Sequence, residues 1–162
     1  MMIFDELTEN NLFLYAAKHY YNPNFSDIEE FYEDLKRFKY IKRLANRYLD
    51  NNELVELGPQ LFNNLANLRK IDLYSNQLYR IHVDLFRNLK NLNEIDLSYN
   101  NLTELPVNLF HDCTNLEKIH LKSNKLVALK GRLFHGLNKL KEIDLSYNKL
   151  TNLDNELFQG LF

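Results

Sequence analysis

Residues 92–105 read LNEIDLSYNNLTEL, and the phrase returns at a fixed spacing of 24 residues: LRKIDLYSNQLYRI from Leu68, LEKIHLKSNKLVAL from Leu116 and LKEIDLSYNKLTNL from Leu140. A weaker copy precedes them, with Leu44, Leu49, Asn52, Leu54 and Leu57 in phase and Arg47 where an apolar residue belongs. Each copy closes on a Leu-Phe pair, from Leu61-Phe62 to Leu157-Phe158. A period of this length predicts a solenoid, because one repeat cannot bury its apolar face alone and must stack on a neighbour.

Within each copy the pair Ile-x-Leu alternates with polar residues, which predicts a short strand with one buried and one wet face. Stacked copies then pair as a parallel sheet. The chain turns after each strand at Asn52, Asn76, Asn100, Asn124 and Asn148. A side-chain amide both donates and accepts, so these residues are expected to satisfy backbone groups of adjacent coils as a structural ladder. The Leu-Phe pairs are expected to turn inward from the outer arc and fill the wide end of the coil.

The pattern LxxLxLxxNxLxxL with a following LF resembles the leucine-rich repeat, and the spacing with LTELPVNLF is similar to its typical class, familiar from Toll-like and Slit-like ectodomains. The resemblance spans residues 44–162. It implies an α/β fold: a right-handed coil with its parallel sheet on the concave face, where protein ligands bind. The cysteine-rich caps of those ectodomains are missing from this sequence.

Residues 1–49 do not repeat and are expected to form an N-terminal helical hairpin cap, leaving residues 50–162 as one degenerate and four regular repeats. The first helix is expected to run from near Thr8 to Tyr20 or Tyr21, where Asn22-Pro23-Asn24 ends it. Ser26 and Glu29 then fit a capping box opening a second helix, whose apolar line is Ile28, Phe31, Leu35, Phe38 and Ile41. Such a cap would cover the first coil's open edge. The run FYEDLKRFKYIKRLANRYL also resembles small uncharacterised proteins of tailed phages, which implies a viral or microbial source but no activity. Helix 2 and the degenerate repeat both claim residues 44–49.

On each strand the residues that alternate with the core point into the concave face. They form a first column of Lys70, Glu94, Lys118 and Glu142 and a second of Asp72, Asp96, His120 and Asp144. A third holds Tyr74, Ser98, Lys122 and Ser146, flanked by Tyr99 and Tyr147. The first column alternates in sign and reads as a self-satisfying ladder, since rungs lie ~4.8 Å apart. The second reads as family habit or as an acidic stripe. The tyrosines are the better contacts, being rigid and amphipathic.

Catalytic readings find little footing. His111 and His135 stack one repeat apart without further ligands, and His120 lies between Asp96 and Asp144 with neither nucleophile nor pocket. Cys113, the single cysteine, reads as a small buried filler. Four glycines leave no phosphate-cradling loop. The chain is therefore expected to be a non-enzymatic protein-binding module without cofactor, metal or small-molecule substrate.

The basic stretch KRFKYIKRLANR at residues 36–47 suits the helix dipole better than nucleic acid, given a net charge of −2. Nucleic-acid binding through that half of helix 2 is accordingly the third reading; the second is a recognition arm of a longer receptor or effector. No apolar run approaches a membrane span. One cysteine and an acidic N-terminus imply a cytoplasmic or host-intracellular site, or an extracellular one if the chain is part of a receptor. The next coil would begin two residues past Phe162, so the last coil is expected to lack a cover in this sequence, and a homodimer through that C-terminal end is a further expectation.

Overall fold

The computed structural model describes residues 50–161 with the exception of Asn52 and Asn64. The expected helical hairpin, its boundary near residue 49 and the Asn52 rung lie outside the described residues. Within them the chain winds as stacked coils, and four strands, β1 (Lys70–Asp72), β2 (Glu94–Asp96), β3 (Lys118–His120) and β5 (Glu142–Asp144), form one sheet in the order β1-β2-β3-β5. All neighbours are parallel and in register at the repeat spacing, Ile71 on Ile95, Ile95 on Ile119 and Ile119 on Ile143. Zero slippage in the sequence thus becomes zero slippage in the sheet, and every coil presents its core residues at the same height.

The pairing runs past the strands. Leu97 N–H donates to His120 O at 2.8 Å and Tyr99 N–H to Lys122 O at 2.8 Å, so each coil bonds the next through its turn. A second, two-stranded parallel sheet follows on the descending flank, where β4 (Ala128–Leu129) pairs with β6 (Asn152–Leu153). The outer arc is built of tight turns closed by local bonds such as Leu85 N–H to His82 O and Leu109 N–H to Pro106 O. Among the described residues no α-helix is present.

The core is a column of repeated positions. Ile71, Ile95, Ile119, Leu73, Leu97 and Leu121 are fully buried. Opposite them Phe62, Phe86, Phe110, Phe134 and Phe158 stack ring on ring, with successive centroids 6.1, 6.0, 6.2 and 5.9 Å apart and planes within 21°. Offset stacking at this spacing adds to plain burial, which stabilises by about 1.5–3 kcal/mol per large apolar side chain. Cys113 is buried in the arc, its Sγ donating to Phe86 O at 3.5 Å, and desolvation pushes its thiol up to about 12. Burial of this kind disfavours the thiolate.

Two sets of asparagines stitch the coils. Asn100 Oδ1 accepts from Leu78 N–H at 3.0 Å, while its Nδ2 donates to Leu73 O at 2.9 Å and Leu97 O at 3.1 Å. Asn124 and Asn148 repeat the pattern one and two coils on, with Leu102 and Leu126 as donors at 3.1 Å. Asn76 accepts from Leu54 N–H at 3.1 Å, which ties the first described coil to the rest. The second set, unforeseen in the sequence, lies on the arc: Asn91 Nδ2 donates to Ala66 O at 2.9 Å and Asn115 Nδ2 to Lys90 O at 2.7 Å. Lys139 then continues the series by donating to Asn115 Oδ1 at 2.6 Å.

Candidate protein-binding surface on the concave sheet

The side chains that alternate with Ile and Leu stand on the wet face of the four-stranded sheet, and in-register pairing aligns them as columns. In the first column Lys70 Nζ meets Glu94 Oε1 at 2.8 Å, and Lys118 Nζ approaches Glu142 Oε2 at 3.9 Å. The hydrogen bond to Glu94 raises the Lys70 pKa. Alternating signs thus resolve into two pairs within the protein.

The second column is used locally. Asp72, Asp96 and Asp144 each accept the N–H two residues on, at 3.2 Å from Tyr74, 2.8 Å from Ser98 and 2.9 Å from Ser146. This carboxylate-to-backbone bond shapes the turn, and it explains why Asp recurs there without any ligand. The two ends of the column differ electrostatically. Burial raises the Asp72 pKa despite Lys70 at 3.7 Å, whereas the hydrogen bond from the Ser146 side chain lowers that of Asp144. His120 in the same column lies 4.0 Å from Glu142.

The turn before each ladder asparagine is left-handed: φ is 55° at Ser75, 56° at Tyr99, 54° at Ser123 and 56° at Tyr147. No glycine marks the position, so the sequence gives no warning of it. Positive φ is uncommon for serine and tyrosine alike, because the clash lies in the Cβ that both carry. Tyr99 nevertheless projects 44% exposed, its ring centroid 5.0 Å from that of Tyr74, and Tyr147 projects 77% exposed with Lys122 Nζ 5.3 Å from its ring. The fold therefore brings Tyr74 together with Tyr99 and Lys122 with Tyr147, as two separate aromatic corners.

Elsewhere Val55, Tyr79 and Val127 are exposed at one repeat position, held by Thr103 in the coil between the last two, which the sequence reading did not single out. Among the described residues no group of three or more His, Cys, Asp or Glu side chains could hold a metal ion, and no helix is long and apolar enough to cross a membrane.

The leucine rich repeat family matches the sequence over residues 42–102, 66–126 and 114–161, and a family of unknown function (DUF7207) matches residues 2–71. No curated protein matches it. Among solved structures the chain is similar to that of the Toll–Spatzle complex, a molecular hub in Drosophila development and innate immunity, in its glycosylated form. The likeness is 29% identity and a TM-score of 0.61, covering 65% of this chain and 14% of that one. The leucine-rich repeat domain of APL1B is also similar in fold, at 23% identity and a TM-score of 0.66, covering 71% of this chain and 34% of the other. The chain thus spans well under half the length of either.

Proposed function

The chain belongs to the leucine-rich repeat family, and from that premise we propose that it is a non-enzymatic interaction module that docks a protein partner on the concave face of its sheet. One observation carries the reading. The left-handed turn is filled by Ser75 and Ser123 in two coils, so the fold has no need of a large side chain there, yet Tyr99 and Tyr147 occupy it and stand exposed. Tyr99 and Tyr147 meet Tyr74 and Lys122 on one side and leave the rest of their rings exposed, and rigid tyrosines suit protein contacts. The columns Lys70, Glu94, Lys118, Glu142 and Asp72, Asp96, His120, Asp144 supply the polar surround. Affinity capture with the protein and with a Tyr99→Ala, Tyr147→Ala double variant tests this. Loss of a captured protein with the double variant, and retention with Lys90→Ala on the outer arc, is the expected outcome; equal recovery by all three overturns it.

A second reading, a recognition arm of a longer receptor or effector, is favoured by the modest share of the similar solved chains that this one spans. On that reading the site is extracellular; a single cysteine favours the cytoplasmic alternative. That residues 1–49 cover the first coil as a helical cap is a further proposal. Deleting residues 1–42 should then expose the first coil and produce aggregation in light scattering; an unchanged melting temperature in a monomeric product would contradict it.

A further inference from the structure

The repeat allows one corner of the concave face to be compared with another two coils away. Around Tyr147 the chain provides its own cation: Lys122 lies over the ring at 5.3 Å, and Asp144 stands on the neighbouring column within reach of its charge. Two repeats earlier the places of Lys122, Asp144 and Tyr147 are taken by Tyr74, Asp96 and Tyr99. The carboxylate and the ring are kept; the cation is replaced by a second ring.

Charge follows the same division. On the first two strands Lys70 is the one cation beside Asp72, Glu94 and Asp96 among the described residues, and its ammonium is committed to Glu94 at 2.8 Å, while on the third strand Lys118 and His120 stand in register with Glu94 and Asp96. In the last two, Lys118 and Lys122 face Glu142 and Asp144. Asp96 spends Oδ1 on the Ser98 N–H at 2.8 Å, and Oδ2 accepts no hydrogen bond among the described residues. Ser98, on the column between them, is 4% exposed, and its hydroxyl has no partner among the described residues. The second oxygen of Asp96 keeps acceptor capacity that a donor from a docked chain can use.

We propose that the corner formed by Asp96, Ser98, Tyr74 and Tyr99 receives an arginine side chain of the docked protein, an inference that rests on the concave-face reading above. A guanidinium is planar and weakly hydrated, so it can lie on the exposed Tyr99 ring while its N–H groups reach Asp96 Oδ2. The partner segment is therefore basic at this point. Next to Tyr147 it has no need to be, because Lys122 already fills the equivalent place.

The probe is the peptide acetyl-Gly-Ser-Arg-Ser-Gly-amide, titrated at millimolar concentration into the full chain and followed by amide chemical shifts, with the Glu-for-Arg peptide alongside. The arginine peptide should shift residues 96–99 and leave 144–147 unmoved. Tyr74→Lys rewrites the corner in the form of Lys122 and Tyr147, and should weaken binding about tenfold, the scale of one desolvated cation–ring contact. Asp96→Asn keeps the turn acceptor but removes the charge, and should weaken it similarly, with unchanged melting curves showing that both variants fold. Equal binding of the glutamate peptide, or undiminished binding by folded Tyr74→Lys and Asp96→Asn, overturns the inference. A captured protein that is lost with Tyr99→Ala but retained with Tyr74→Lys also overturns it, and leaves the docking reading standing; recovery that no concave substitution alters removes both.

Discussion

Residues 92–105 and 140–153 carry nearly the same words, LNEIDLSYNNLTEL and LKEIDLSYNKLTNL, and reach different physical states. In the first, Ile95, Leu97 and Leu102 are fully buried; in the second, Ile143, Leu145 and Leu150 are only partly covered and Leu153 is half exposed. The phenylalanine of the inner arc, Phe110, is sealed between two rings, whereas Phe158 touches one and is 38% exposed. Local sequence decides the shape of a coil, and its neighbours decide how much that shape is worth. In a solenoid, stability is a sum of intrinsic and nearest-neighbour terms, and the last described coil has one neighbour among the described residues where the inner coils have two.

The comparison is broken most forcefully at the phenylalanines. Phe110→Ala should destabilise by about 3–5 kcal/mol through lost burial and the cavity it leaves, and Phe158→Ala by roughly half of that or less, since its exposed part is never withdrawn from water. Urea denaturation of the two variants measures the difference; equal midpoints would contradict it.

The asparagines sharpen it further, because Asn100 and Asn148 make the same set of bonds. Asn100→Ala leaves buried carbonyls and an N–H without partners and should cost on the order of 1–3 kcal/mol. At Asn148, which is half buried, water can replace part of what is lost, so Asn148→Ala should cost less. Identical thermal shifts for the pair would show that exposure does not govern the ladder.

The smallest effect concerns the two ends of the aspartate column. The Asp72 pKa is raised in the folded protein, mainly by burial, so its ionised form destabilises: the penalty is absent below the ordinary carboxylate range and complete once pH exceeds the raised folded value. The Asp144 pKa is lowered by Ser146, so that carboxylate contributes stability above its unfolded value, lost as pH falls through the folded one. At pH 7, Asp72→Asn should therefore stabilise slightly and Asp144→Asn destabilise slightly, each by roughly a few tenths of a kcal/mol after solvent screening. Melting temperatures that move in the same direction for both would reject the assignment.

The parallel sheet was legible because the Ile-x-Leu pairs, the asparagines and the Leu-Phe pairs keep one period, and a solenoid translates sequence spacing directly into stacking. The left-handed turn was not, because Ser75, Tyr99, Ser123 and Tyr147 stand where glycine would have announced it. The Asn91, Asn115 and Lys139 series was hidden by its change of residue type along the arc, and β4 with β6 by strands of two residues. Facing columns could be read by alternation alone. Their wiring could not: whether Asp96 caps a turn or meets a partner depends on where the Ser98 N–H lies, a matter of backbone angle that no spacing encodes.

Native-state hydrogen exchange tests most directly whether neighbours, rather than local words, set the state of a coil. The amides of Leu97 and Tyr99 donate to His120 O and Lys122 O of the next coil, while those of Leu145 and Tyr147, at the same places in the repeat, find no acceptor among the described residues. Exchange should be slow at Leu97 and Tyr99 and fast at Leu145 and Tyr147. Equal protection at all four would contradict the account, because it would require the amides of the last coil to be covered as completely as those within the stack.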